Sequence, residues 1–162
     1  KIVNVAVFGF STSSSAATLP LNQKTCTESF GVDNTIASFV LPLGMTINMN
    51  GTAIMQVIAT VFIAGCAGYE VTLPQLIVVA LLALIASAGT PAAPGAGAVI
   101  LFTILSGVGF VHDGALLAYS LILAINRPIE MLVTSLNVVG DAVTSICVAK
   151  SEGLLDEQKY NA

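Results

Sequence analysis

Long apolar stretches, broken by short polar clusters, make up most of this chain. The apolar arm 2–10 runs into a serine-rich turn, and the arm 73–87 runs into a turn of small residues and prolines at 88–97. A membrane-spanning helix needs about 20 apolar residues, so each arm is too short to cross a bilayer. The pattern predicts two re-entrant helical hairpins, about 1–21 and about 73–110, whose polar tips line a cavity.

A longer apolar segment, about 34–67, has a polar island in its middle. Pro42, Gly44 and Gly51 flank this island. Proline removes a helix N–H group, and glycine lowers the cost of non-helical dihedral angles. We therefore predict one transmembrane helix broken into two halves, with free backbone carbonyls between them. Unwound carbonyls at mid-membrane are the arrangement that coordinates Na⁺ in secondary transporters.

The last apolar segment, about 114–150, has a row of polar side chains on one face. They are Asn126, Glu130, Thr134, Asn137 and Asp141. At about 100° per residue they fall within an arc of roughly 80°. Such groups are costly among apolar side chains unless an ion or a polar ligand meets them. We predict a long polar-faced transmembrane helix that builds a binding site, followed by a solvated polar tail at 151–162.

The composition indicates that lipid surrounds the chain. Hydrophobic residues are 56% and charged residues 9% of the sequence, and the mean hydropathy is +0.93. A soluble domain has about 25% charged residues. The predicted fold class is thus an all-α membrane protein, multi-pass in the cell membrane, and we expect a prokaryotic inner or plasma membrane. The small net charge of −4 gives no sign of a nucleic acid partner.

Catalysis is not expected from these residues. The only histidine, His112, is next to Asp113 in a predicted loop, away from the serine cluster. The serines have no Gly-x-Ser-x-Gly elbow around them. We therefore predict that the chain is not an enzyme.

Four motifs resemble one family, the glutamate and neutral amino acid transporters (dicarboxylate/amino acid:cation symporters). Ser-Ser-Ser at 13–15, followed by Ala-Thr-Leu-Pro, resembles the first re-entrant hairpin of that family. Thr-Ile-Asn-Met-Asn-Gly-Thr at 46–52 is similar to its Asn-Met-Asp-Gly-Thr helix break. Residues 89–97 resemble its second hairpin tip, and Asn-Val-Val-Gly-Asp at 137–141 resembles its last helix.

The resemblance implies the transport domain of an elevator transporter, with residues 1–150 as the transport core. It also implies a homotrimer held together by scaffold helices that this sequence lacks. Two explanations of that lack stay open. The chain is a fragment, or a partner chain supplies the scaffold.

The resemblance also implies a set of site residues. Co-transported Na⁺ ions would be held at Gly44, Thr46, Asn48, Asn50, Ser87, Ala88, Thr90, Asn137 and Asp141. The amino acid substrate would be bound by Ser14, Met49, Thr52, Gly97, Glu130, Val133, Thr134 and Asn137. Within this set, Asn137 would hold the α-carboxylate of the substrate and Glu130 its amino group.

Departures from the family pattern bear on the substrate. Val133 stands where members that take acidic substrates have an arginine, so a small neutral amino acid is expected. Asn50 replaces an aspartate, which leaves the number of ions open. Arg127 lies about 100° from Asn126 and is expected to face lipid or scaffold. Glu130 is expected to contact ligand and not Arg127, on the ground that neighbouring helix residues do not face each other.

The prediction is therefore a sodium-coupled symporter of a small neutral amino acid, working by elevator alternating access. One alternative is symport of an acidic amino acid or a dicarboxylate, with Arg127 reaching the substrate. An alternative of another class is a membrane subunit that does not itself transport.

Overall fold

The computed structural model describes residues 1–162, and its regular structure is helical, with no β-strand. A short π-helical turn, Thr25–Ser29, follows the second helix. The predicted all-α fold is confirmed. The helices are α1 Val3–Thr12, α2 Ser15–Lys24, α3 Asn34–Ile47, α4 Asn50–Cys66, α5 Leu73–Ala88, α6 Ala96–Gly107, α7 Asp113–Ile125, α8 Arg127–Ser151 and α9 Glu157–Asn161.

Two sharp turns join short helices into pairs. Between α1 and α2 the chain turns at Ser13, whose φ of 51° is left-handed. Ser14 then starts α2, because its side chain accepts a hydrogen bond from Ala17 N–H. Residues 89–95 join α5 to α6 and end at Gly95, whose φ of 86° would strain any residue with a side chain. Residues 13–14 are called the first turn below, and residues 89–95 the second turn.

The polar island breaks the long middle segment over two residues. Asn48 and Met49 leave the helical region, with ψ angles of 64° and 57°, and they separate α3 from α4. Pro42 lies inside α3 and Gly51 inside α4, so the break is shorter than the polar island that these two residues flank.

The last apolar segment is interrupted, whereas one helix over 114–150 was expected. Helix α7 ends at Ile125, and α8 begins at Arg127, after Asn126. Pro128 has no N–H group to donate to a carbonyl one turn earlier, so it interrupts the hydrogen-bond ladder here. The polar row thus begins at the break and continues along α8.

Helix α8 is the centre of the fold and packs against α1, α2, α3 and α4. One apolar cluster lies between α4, α6 and α7 and includes Ile63, Leu101 and Leu105. A second cluster packs α3 and the end of α8 around Cys26 and Leu41. These clusters hold the two turns and the start of α4 near the polar face of α8.

Large apolar side chains also cover the outer surface. Phe39, Leu73 and Ile85 are each at least 70% exposed. Apolar surface this extensive marks contact with lipid or with other protein. Two helical segments, 34–66 and 127–151, are long and apolar enough to cross a membrane.

The tail at 151–162 is largely exposed, as expected, but the backbone ties it to the body of the fold. Asp33 N–H donates to Leu154 O at 3.0 Å, and Asp156 N–H donates to Gly31 O at 2.8 Å. An isolated antiparallel bridge pairs Val32 with Leu155 between these bonds. The tail is therefore anchored beside the start of α3.

Candidate functional site

The two turns, the start of α4 and one face of α8 enclose a small cavity of about 30 Å³. One water molecule needs about 10–15 Å³ of such space, so the cavity has room for about two water molecules. Ser14 Oγ donates to Ala92 O at 2.9 Å, which joins the first turn to the second. A molecule the size of an amino acid therefore requires the turns to separate. The lining residues are Ser13, Ser15, Met49, Thr52, Met55, Thr90, Pro91, Ala92, Ala93, Gly97, Glu130, Val133, Thr134 and Asn137.

Glu130 is the charged residue of this lining. It is 6% exposed, and its Oε2 accepts a hydrogen bond from Gly95 N–H at 3.0 Å. The same oxygen accepts from Arg127 Nη1 at 3.1 Å, in an ion pair. The expectation that Arg127 and Glu130 do not face each other is wrong. The two residues are three positions apart on a helix, a spacing that makes side chains neighbours.

Asn137 joins α8 to the start of α4. Its Oδ1 accepts a hydrogen bond from Gly51 N–H at 2.8 Å, and its Nδ2 donates to Thr52 Oγ1 at 3.0 Å. All three residues are buried. The amide thus satisfies a backbone N–H group in the first turn of α4, which has no partner inside its own helix.

Asp141, one turn further along α8, meets the break between α3 and α4. Its Oδ1 accepts a hydrogen bond from Asn48 Nδ2 at 2.9 Å. A β-carbon added to Gly44 would lie 2.7 Å from the same oxygen, so any larger residue would displace the carboxylate from this position. The structure therefore brings together Gly44, Asn48 and Asp141, three of the predicted ion ligands.

The other predicted ion ligands are more dispersed. Ser87 and Thr90 are buried at the end of α5, where their hydroxyls donate to Leu84 O and Ala86 O. Thr46, Asn50 and Ala88 are exposed. No three His, Cys, Asp or Glu side chains come together as a metal-binding group. An ion here would take its oxygens from backbone carbonyls, amides and the single Asp141 carboxylate, a set that suits Na⁺.

The cavity contains all of the predicted substrate residues except Ser14. Met49, Thr52, Gly97, Glu130, Val133, Thr134 and Asn137 all line it. Ser14 instead bonds Ala92 O, and its neighbours Ser13 and Ser15 face the cavity. Sequence reasoning missed these two serines together with Met55 and residues 91–93. For the serines and residues 91–93, the position in the predicted turns was the available signal.

Asn126 is separated from the rest of the polar row. It is 3% exposed and its Oδ1 has no hydrogen-bond partner. It lines an apolar groove with Ile122 and Ile129 on the outer side of α4. The other four side chains of the row are buried toward the two turns and the α3–α4 break, which leaves Asn126 outside the candidate site.

Comparison with known proteins agrees with this architecture. Residues 1–151 match the Sodium:dicarboxylate symporter family. An excitatory amino acid transporter of Caenorhabditis elegans is 41% identical over 133 residues, which are 82% of this chain and 25% of that protein. One of Onchocerca volvulus is 40% identical over 138 residues, or 85% of this chain and 27% of that protein. Human excitatory amino acid transporter 5 is 38% identical over 144 residues, or 89% and 25%.

This chain spans about a quarter of the length of these relatives. The relatives are animal proteins, so they do not support the expected prokaryotic membrane. The family is one of membrane transporters and not of enzymes, as was predicted. Residues 1–151, which match the family model, include those that line the cavity and those that meet around Asp141. The chain belongs to the sodium:dicarboxylate symporter family.

Proposed function

We propose that this chain is the substrate- and ion-binding core of a sodium-coupled amino acid symporter. One observation supports this most: two helical turns, a helix break and a row of buried polar side chains meet around one cavity. Asp141, the proposed ion ligand that meets the break, and Asn137, a proposed substrate ligand, lie on the same helix, α8. Occupation of the two sites would therefore be coupled through that helix.

The proposed ion sites follow the chemistry of the donors. One Na⁺ would sit at Asp141 with backbone carbonyls of Gly44, Asn48 and Asn137. A second would sit at the end of α5, among Thr46, Ser87, Ala88 and Thr90. The negative end of the α5 helix dipole favours a cation there. Asn50, beside Gly140 in the structure, would contribute to a further site.

An acidic amino acid or dicarboxylate is the first candidate substrate. The family description names dicarboxylates, and the relatives are excitatory amino acid transporters. Asn137 would hold the α-carboxylate, and Glu130 the amino group where one is present. The remaining ligands would be Ser14, Met49, Thr52, Gly97, Val133 and Thr134.

A small neutral amino acid is the second candidate. It is favoured by the cavity lining, which includes Val133 and has no lysine or arginine. A second carboxylate beside valine in a dehydrated cavity would lack a direct basic partner, at a cost of several kcal/mol.

The transport cycle would use both turns as the tips of re-entrant hairpins, 1–21 and 73–110. With the broken helix 34–67 and the last helix 114–150, they would form a transport core of residues 1–150, followed by the tail 151–162. This core would move as an elevator within the lipid bilayer, against scaffold helices in the rest of a homotrimeric protein. Closure of the second tip would require ions and substrate together, which couples the gradient to uptake.

Uptake into proteoliposomes tests the proposal. The whole protein that includes this chain is reconstituted, and uptake of labelled aspartate and of alanine is measured with an inward Na⁺ gradient or a K⁺ gradient. We expect Na⁺-dependent uptake that Asp141→Asn abolishes and that the exposed-site control Asp113→Asn retains. Faster Na⁺-dependent uptake of aspartate than of alanine supports the first candidate, and the reverse order supports the second. Absence of Na⁺-dependent uptake of either favours the non-transporting subunit.

A further inference from the structure

Glu130 is the only charged residue that lines the cavity. Its carboxylate is nearly inaccessible to water, with a side-chain exposure of 8%. Both hydrogen bonds that it accepts, from Gly95 N–H and from Arg127, go to Oε2. Oε1 accepts no hydrogen bond from the protein, so one carboxylate oxygen is available toward the cavity. A cavity with this residue alone would have a net negative charge.

Arg127 lies behind Glu130 and outside the cavity. It is the first residue of α8, its side chain is 55% exposed, and it is absent from the lining. The contact is monodentate, through Nη1 at 3.1 Å. The guanidinium thus compensates the carboxylate from outside the cavity, and a bound molecule would meet only the carboxylate.

Other basic groups do not replace Arg127 here. The chain has five lysines and arginines in all. The one other ion pair, Lys24 with Glu28, is on the exposed surface at the end of α2. The charge balance of the cavity wall therefore depends on Arg127.

We propose that Arg127 is a specificity-determining residue, which sets the charge preference of the cavity by cancelling the charge of Glu130. The inference rests on the proposed function, since it assumes that an amino acid occupies the cavity. Without Arg127 the unbalanced carboxylate repels anionic substrates and attracts cationic ones. Arg127 acts through the field at the cavity and not by touching the substrate.

The expected size of the effect is modest. The guanidinium does not contact the substrate, so the Coulomb interaction between the two is weaker than that of a direct ion pair. Half-exposure of the guanidinium weakens this interaction through solvent screening. We expect a change of about three- to tenfold in affinity per unit of substrate charge, with opposite signs for anions and cations.

The test uses three competitors of matched length and different net charge: aspartate, asparagine and 2,4-diaminobutyrate. Their inhibition constants against Na⁺-dependent uptake of a labelled substrate are measured for the whole wild-type protein and for its Arg127→Ala variant. Arg127→Lys is the rescue, because a monodentate contact needs only one charged donor. Lys24→Ala is the control, since it removes an exposed ion pair away from the cavity.

In Arg127→Ala we expect the affinities for the anionic and the cationic competitor to change in opposite directions. Aspartate binds more weakly, diaminobutyrate binds more tightly, and asparagine changes least, while Arg127→Lys and Lys24→Ala resemble wild type. Loss of aspartate affinity with no gain for diaminobutyrate indicates direct contact between guanidinium and substrate and overturns the proposal. An equal loss for all three, or no change, also overturns it. If wild type shows no Na⁺-dependent uptake that any of the three inhibits, the proposed function has failed instead.

Discussion

The close approach of Gly44 to Asp141 gives a sharp prediction, because a matched glycine exists elsewhere in the chain. Gly44 lies in α3 and Gly65 in α4. A β-carbon on Gly44 would lie 2.7 Å from Asp141 Oδ1, whereas one on Gly65 would have nothing within 4 Å. Substitution by alanine therefore produces the same chemical change in two different surroundings.

Two effects of opposite sign determine the outcome. In a helix, alanine is more favourable than glycine by about 0.5–1 kcal/mol. Gly65→Ala should gain up to this amount. At Gly44 the new methyl group must displace the Asp141 carboxylate, and overpacking of this kind costs about 1–3 kcal/mol. Displacement also strains the 2.9 Å hydrogen bond from Asn48. The cost exceeds the gain, so Gly44→Ala should be destabilising.

The assay is thermal unfolding of the detergent-solubilised protein in Na⁺ and in K⁺. We expect Gly65→Ala to melt at or above the wild-type temperature and to keep the Na⁺-dependent increase. Gly44→Ala should melt below wild type, because the cost of overpacking exceeds the gain in helix propensity. Its Na⁺-dependent increase should also shrink, because stabilisation by a ligand falls as its affinity falls.

Two results would refute this reasoning. If Gly44→Ala is as stable as Gly65→Ala, the carboxylate does not lie against Gly44. If Gly44→Ala is destabilised but responds to Na⁺ as wild type does, Asp141 packs there without serving an ion.

Two further predictions concern hydrogen bonds at helix starts. Asn137→Ala leaves Gly51 N–H unpaired and removes the donor to Thr52 Oγ1, whose own O–H group keeps Met49 Sδ as its acceptor. We therefore expect a loss of about 1–3 kcal/mol in ligand-free thermal unfolding. Thr52→Ala, which removes one of these bonds, should lose less. The hydrogen bonds from Thr35 to Asp33 at the start of α3 hold the pKa of Asp33 below its usual value. This cap stabilises the fold above the unfolded-state pKa of about 3.9 and is lost as pH falls through the lower folded-state pKa. Asp33→Ala should therefore melt below wild type at neutral pH, and the difference should narrow as the pH is lowered through that folded-state pKa. A constant difference would contradict the role of the carboxylate charge.

Local pattern was sufficient for the helical architecture and for most of the candidate site. Short apolar arms around polar turns predicted the α1–α2 and α5–α6 pairs, and the polar island predicted the break at Asn48 and Met49. The 3.6-residue period placed Glu130, Thr134, Asn137 and Asp141 on one buried face of α8. These features depend on neighbours along the chain, which a sequence displays directly.

Contacts between distant segments needed the folded chain. The sequence did not indicate that Ser14 would bond Ala92 while Ser13 and Ser15 face the cavity, since that depends on how two turns 78 residues apart meet. It likewise did not show that Asn126 would lie in an outer apolar groove. The Arg127–Glu130 pair was foreseeable from helical spacing, but its position behind the cavity was not. Periodicity assigns a residue to a face of its own helix, and only packing against other helices decides what that face meets.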